Sequence, residues 1–204
     1  MRHYKILTVS MFGLGLLMPG PSALAAVTAP GEGSQKLTKE GQALASSVRL
    51  NDLFRRLQKA PNEASGRSIE IDIWEHWAKS GVPGVDGLMS QARALVSKGY
   101  LEPSLGLLDR VVYEQPDFID GWNRRATVLF LMKRDKESLV DIAKVLALEP
   151  RHFGALAGKV FIKMRMEQWQ QALIALRKAV AIHPFLRERH LIPVLEQKLK
   201  LRKL

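Results

Sequence analysis

The chain has 204 residues and a formal net charge of +11 at pH 7, from 31 Lys and Arg against 20 Asp and Glu. A 47% hydrophobic and 25% charged composition is ordinary for one folded domain with a short leader. The chain has no cysteine, which excludes disulfides, thiolate metal sites and cysteine nucleophiles. The positive charge favours acidic proteins, anionic lipid or polymer surfaces, or nucleic acid as partners, unless it is simply spread over solvated faces.

Residues 1–25 have the pattern of a secretory signal peptide. Arg2 and Lys5 make a basic start, residues 6–18 are apolar, and small residues precede a cleavage point after Ala25. The apolar stretch is short for a membrane span. We therefore predict export to the periplasm with removal of the signal, and retention of this segment as an uncleaved anchor is the alternative. The processed chain would keep a charge of +9.

Two segments precede the regular part of the chain. Residues 26–48 are rich in Gly, Pro, Ser and Thr and are predicted to be a flexible linker. Residues 49–84 are predicted to form an N-terminal helical pair that caps the first of the units described below, or covers it as a degenerate repeat. Trp74 and Trp77 share one face of its second helix. They are either an aromatic surface for a partner or core residues packed against Leu88 and its neighbours.

Residues 85–186 contain a repeated pattern. Pro116, Pro150 and Pro184 are 34 residues apart, and a constant period in this range indicates a stacked array of repeats. A small residue stands at the same place in each unit, where two helices would have to approach closely. These residues are Ser104, Ser138 and Ala172, and the units are 85–118, 119–152 and 153–186.

Each unit is predicted to be two amphipathic helices. In the second unit, apolar spacing places the first helix at about 119–132 and the second at about 135–148. Asp135 is expected to cap the second helix. The closing proline cannot continue a helix, so it ends each unit and sets the turn into the next.

The three units resemble tetratricopeptide repeats (TPR), whose pattern is a helical hairpin of 34 residues with small residues near positions 8 and 20 and proline at position 32. Trp122 stands where that family has its tryptophan, so we expect it to be a buried anchor. The resemblance implies an all-α fold. It would be an α-solenoid of three TPR helical hairpins, with an N-terminal helical pair and a C-terminal capping helix.

The capping helix is assigned to residues 187–204. Pro193 is tolerated only in a first turn or at a kink, so the regular part is expected to begin near His190. Apolar side chains of this helix would dock on the third unit, and the basic tail is either a solvated face or a contact for an anionic surface. These side chains are Leu191, Ile192, Leu195, Leu199 and, at the end of the helix, Leu201.

The resemblance also implies a protein-binding groove, lined by the first helix of each unit. Arginines on it would suit carboxylates, and aromatic and methionine side chains would grip an apolar residue. Carried over position by position, the groove residues are Met89, Arg93, Asn123, Arg124, Thr127, Phe130, Phe161, Met164 and Arg165. Some members of the family bind chaperone tails through a carboxylate clamp, but Met89, Gly154 and Gly158 occupy clamp positions here, so that set is not reproduced.

The sequence contains no recognisable set of catalytic or metal-binding residues. The five histidines lack metal-ligand spacing, and no acid, base and nucleophile set or phosphate-binding loop occurs. We predict a non-enzymatic exported scaffold without cofactor or metal, which binds an envelope protein or peptide through its groove. The alternative is a basic electrostatic binder of anionic envelope lipid or polymer. Nucleic acid is not an expected partner, and self-association is a further option.

Overall fold

The computed structural model describes residues 32–201, with side chains from residue 40 onward. The described residues from Ala43 onward form one compact unit, which contains the repeats. Within the described range the structure is helical, without strands. Its elements are α1 (Glu32–Gln58), α2 (Glu63–Trp77), α3 (Pro83–Ser97), α4 (Leu101–Glu114), α5 (Ile119–Leu131), α6 (Asp135–Leu148), α7 (Phe153–Arg165), α8 (Trp169–Ile182), a 3₁₀ turn (Arg187–His190) and α9 (Leu191–Leu201).

The predicted repeats are three helical hairpins, α3–α4, α5–α6 and α7–α8. From α3 to α9, each helix packs against the next one along the chain, which is the regular stacking expected of a solenoid. The all-α prediction is therefore confirmed. The predicted signal peptide, residues 1–25, lies outside the described residues. Within 32–201, no helix combines the length and hydropathy of a membrane span.

The small residue of each unit lies where its two helices cross. Ser104 and Ser138 are buried, and their hydroxyls donate to the carbonyls of Ala92 and Ala126 at 3.0 and 2.7 Å. Ala172 is fully buried at the same place in the third unit. The predicted close approach is confirmed, and in the first two units a hydrogen bond ties the second helix to the first.

Two predictions for single residues are wrong. Asp135 does not cap α6 but is its first residue, and its carboxylate forms an ion pair with Arg165 of the next unit. Trp122 is half-buried instead of fully buried. Its Nε1 donates to the Pro116 carbonyl at 2.9 Å, and the Arg125 guanidinium lies 4.7 Å from the ring centre. The ring therefore packs over the inter-repeat turn and stays partly accessible.

The linker prediction for residues 26–48 is wrong where the structure describes that segment, because α1 begins at Glu32. The turn-forming residues are concentrated before that point. Beyond Ser34, Lys, Glu, Gln, Ala and Leu outnumber them, and these residues have high helix propensity. Gly41 alone is too weak a breaker to stop the helix, at about 1 kcal/mol relative to Ala.

The N-terminal pair packs on the third unit, and not on the first as predicted. Buried side chains of α1 and α2, including Leu57, Ile73 and Trp77, share one core cluster with α7 and α8, and Leu88 belongs to a different cluster. The Gln58 amide donates to two carbonyls at the end of α8, at 2.8 and 2.6 Å. The spacing of apolar residues in α2 identifies its buried face. It does not indicate which distant part of the chain packs against that face.

The C-terminal helix is the expected cap. α9 begins at Leu191 and contains Pro193 in its first turn, where the missing N–H does no harm. Leu195 is fully buried in the cluster of the third unit. Leu191, Ile192 and Leu199 pack against that cluster, as the sequence predicts, but Leu201 is 60% exposed at the end of α9 and does not dock.

Candidate functional site

The first helices of the units line two adjoining cavities, and we call this surface the inner face. The first cavity, of about 230 Å³, lies between α2, α3, α4 and α5. The second, of about 330 Å³, lies between α2, α5, α6, α7 and the 3₁₀ turn. Trp74, Asn123 and Thr127 line both cavities, so a bound chain could pass from one to the other.

The first cavity has polar walls and an apolar floor. Arg93, Asn123, Arg124 and Thr127 form its polar part, and the floor is made by Ala92, Val96, Leu108 and Val128. Arg93 is exposed and makes no hydrogen bond or ion pair with any residue in 40–201. Its guanidinium is therefore available to an acceptor on a ligand.

Arg124 is already engaged. Its Nε donates to Asp120 Oδ2 at 2.8 Å, and Asp120 is 1% exposed. Burial raises the pKa of Asp120, while the attraction of Arg124 opposes that rise. Asp120 therefore holds Arg124 in position and offsets part of its charge, which leaves Arg93 as the cavity's freer cation.

The second cavity is mainly apolar. Phe130 and Phe161 supply aromatic walls, and Phe161 is 39% exposed. Gly154 and Gly158 lack side chains that would otherwise occupy the space. Glu188 of the 3₁₀ turn is its charged lining residue. The other lining residues besides Trp74, Asn123 and Thr127 are Ala126, Ser138, Ile142, Ala155, Ala157 and Ile162.

Six of the nine predicted groove residues line these cavities: Arg93, Asn123, Arg124, Thr127, Phe130 and Phe161. The other three do not. Met89 is 3% exposed and packs in the core of the first unit. Met164 is half-buried against the core of the third unit. Arg165 pairs with Asp135 and lies 4.1 Å from the Phe130 ring centre, so it does not join Arg93 and Arg124 as an arginine of the cavity lining.

Trp74 lines both cavities, and the sequence left it open between an aromatic surface for a partner and a core residue packed against Leu88. Its ring makes edge contacts with Trp77, His152 and Phe153, at centroid distances of 5.3, 5.4 and 5.4 Å. A Cβ on Gly154 would lie 2.3 Å from this ring, so only glycine permits the approach. In the sequence, the signal for this contact is a glycine in the first helix of the third unit. A glycine indicates that something packs closely there, but not which side chain does so.

Contacts between polar side chains hold α2 beside the third unit. His183 Nε2 lies 3.2 Å from Glu70 Oε2, and Arg189 donates to Glu63 Oε2 at 3.2 Å. The neighbouring His183 ring lowers the pKa of Glu70. These contacts place Glu63 and Glu70 of α2 against the end of α8 and the 3₁₀ turn, so the helix has a defined register along the third unit.

His152 joins α2 to α7. Its Nδ1 accepts the Ala155 N–H at 3.0 Å, which caps α7, and its ring stacks on Trp77 at 3.9 Å. Burial lowers the His152 pKa from 6.5 to about 3. The neutral imidazole is therefore the form that the fold requires at ordinary pH.

Comparisons with known proteins agree with this architecture. A TPR repeat-containing protein from Rhizobium etli is 35% identical to the chain over 136 residues, which is 67% of each protein. Among solved structures, MamA superposes with a TM-score of 0.55 at 15% identity, covering 86% of this chain and 88% of MamA. The first TPR domain of Spaghetti (RPAP3), bound to an HSP90 peptide, has a TM-score of 0.55 at 14% identity, covering 57% of this chain and 93% of that domain. No family model matches the chain.

Proposed function

The chain belongs to the TPR repeat-containing proteins, and from this premise we propose that it is an exported, non-enzymatic adaptor whose inner face binds a segment of another protein. TPR proteins in general mediate protein–protein interactions. The single observation that carries the proposal is the pair of adjoining cavities. One offers the exposed guanidinium of Arg93, and the other offers an apolar surface with Phe130 and Phe161.

Related folds support binding of a chain segment. The Spaghetti domain holds an HSP90 peptide, and a TPR domain of yeast Sti1 holds an Hsp70 peptide. The inner face of this chain differs from a carboxylate clamp, since Met89 is buried and Gly154 and Gly158 have no side chains to donate. The proposed partner is therefore a protein that presents another kind of segment, and proposed export makes it an envelope protein.

Export is part of the proposal and rests on the sequence of residues 1–25. We expect the mature chain to be found in the periplasm and to begin at Ala26. N-terminal sequencing of the chain recovered from that fraction tests both points. A chain that keeps Met1 and sediments with membranes would show instead that the segment is an anchor.

The binding claim is tested by reversing one charge on the inner face. Arg93→Glu places a carboxylate where the proposed partner presents its acceptor, so recovery of the crosslinked partner with the tagged chain should fall by at least about tenfold. Arg56→Glu makes the same change at an exposed site on α1 that lines neither cavity. Equal recovery with both variants would contradict the proposal.

Binding to anionic lipid or polymer is the second candidate, and the net charge of +11 favours it. Many arginines in 40–201 are held in ion pairs, such as Arg125 with Asp109 and Asp141, so these cations are less available to an anionic surface than the net charge suggests. Purely electrostatic binding should fall steeply with salt. Retention on anionic vesicles that survives 0.5 M salt, or is absent at low salt, would count against this candidate.

A further inference from the structure

We propose that Trp74, which lies outside the repeats, is a ligand-binding residue of the inner face, and that the second cavity receives a large apolar side chain from a partner segment carrying an acidic residue about three positions away. This inference rests on the proposed function and specifies the chemistry of the bound segment.

Trp74 is a rigid wall and α2 is not a removable lid. Trp77, His152 and Phe153 hold its ring at edge contacts of 5.3–5.4 Å, and its Nε1 donates to Glu70 at 3.3 Å. Ile69, Ile73 and Trp77 of the same helix are 7%, 0% and 3% exposed, so displacing α2 would expose several large apolar side chains to water, which is unfavourable. The remaining surface of Trp74 faces both cavities and is ordered before any ligand arrives, which lowers the entropic cost of binding.

The second cavity has the size and lining for an apolar side chain. Its volume of about 330 Å³ falls at the lower end of the range for ligand pockets, and its walls are Trp74, Phe130 and Phe161. A Cβ added at Gly158 would lie 3.5 Å from Ile142, an ordinary contact. The fold therefore tolerates a side chain at position 158. A large side chain there would fill the space that this glycine leaves open in the second cavity.

Charge complementarity predicts that the segment carries an acidic residue, and that this residue lies in the first cavity. Arg93 and Arg124 lie in the first cavity, and Glu188 lies in the second. Along α5, Arg124 and Phe130 are six residues apart, or about 9 Å at 1.5 Å per residue, which is the length of about three residues of extended chain. A segment with its carboxylate at Arg93 and Arg124 would therefore carry its apolar residue about three positions further on, with Glu188 beyond it.

The test is selection from a random nine-residue peptide library displayed on phage, with the full processed chain as bait. The wild type should enrich peptides with Asp or Glu about three positions from a large apolar residue. Gly158→Met fills the second cavity and should remove the apolar preference while keeping the acidic one, and Arg93→Glu should do the reverse. Gly106→Met is the matched control, because Gly106 is an exposed helical glycine of α4 with no atom near its Cβ position.

Folding of each variant is checked by its thermal melt. If Gly158→Met does not fold, Phe161→Ala is used in its place. Phe161 is 39% exposed, and removing its ring enlarges the second cavity, so the apolar residue of the selected peptides should shift towards tryptophan. An unchanged apolar preference in the folded cavity variant overturns the inference. The inference is also overturned if the wild type selects no peptide. If Arg93→Glu still abolishes recovery of the cellular partner in that case, the proposed function remains supported.

Discussion

At the level of single residues, one backbone position has the same left-handed conformation in all three units. Gly99, Lys133 and Glu167 are spaced 34 residues apart, and their φ values are 81°, 61° and 55°. Each lies in the turn between the two helices of its unit. Glycine adopts this conformation without strain, whereas a residue with a Cβ is destabilised by about 1–2 kcal/mol. The second and third units therefore contain backbone strain that the first unit avoids.

Lys133→Gly should stabilise the protein by about 1 kcal/mol, because it removes this strain without touching the core. Urea unfolding followed by circular dichroism measures the change. Lys98→Gly is the control. Lys98 directly follows α3 in the first unit and has a φ of −93°, so glycine there should not increase the unfolding free energy. Equal effects of the two substitutions would show that the strain is not the cause.

His152 makes stability depend on pH. Its pKa is about 3 in the folded chain and near 6.5 when unfolded, so between these values the unfolded state binds more protons and stability falls as pH falls. Lowering the pH from 6.5 to 5 should remove about 2 kcal/mol of unfolding free energy. Urea unfolding at the two pH values measures this loss.

His152→Asn keeps a side-chain acceptor for the α7 cap and should reduce the pH dependence. Partial burial also lowers the pKa of His76, so a smaller slope of the same sign should remain. His190→Asn is the control, because His190 is exposed. A pH slope that is identical in the His152 and His190 variants would contradict this account.

At the level of elements, the hairpin α1–α2 stabilises the third unit. Ile73 of α2 is fully buried in the cluster that includes Phe153 and Leu176, while Ile71 of the same helix is 58% exposed. Ile73→Ala should lower the unfolding free energy by about 2–5 kcal/mol, and Ile71→Ala by less than about 0.5 kcal/mol. Urea unfolding of the two variants provides the comparison.

Hydrogen exchange distinguishes the observed packing from the predicted one. In the Ile73→Ala variant, amides of α7 and α8 should lose more protection than amides of α3, because α2 shares its core with the third unit. Greater loss in α3 would support the expectation that the N-terminal pair caps the first unit, and would contradict the structure.

The sequence predicts the repeats well because their signals are local. Period and proline spacing place the second unit's helices at 119–132 and 135–148, against Ile119–Leu131 and Asp135–Leu148 in the structure. The docking of α2 could not be predicted, since it depends on contacts between residues about 80 positions apart, such as Trp74 with Gly154. For the same reason the sequence left Trp74 open between a partner surface and the core, and could not place it beside the first-helix residues of the binding site.

At the level of the whole molecule, the central claim is that the inner face, and not the outer surface, binds the partner. A photoreactive amino acid placed at Phe161 reports on the second cavity, and one placed at Val140, 68% exposed on α6, reports on the outer surface. After irradiation of cells, we predict a discrete protein adduct from position 161, lost with Arg93→Glu, and none of that mass from position 140. The same adduct from both positions, or from position 140 alone, would contradict the account.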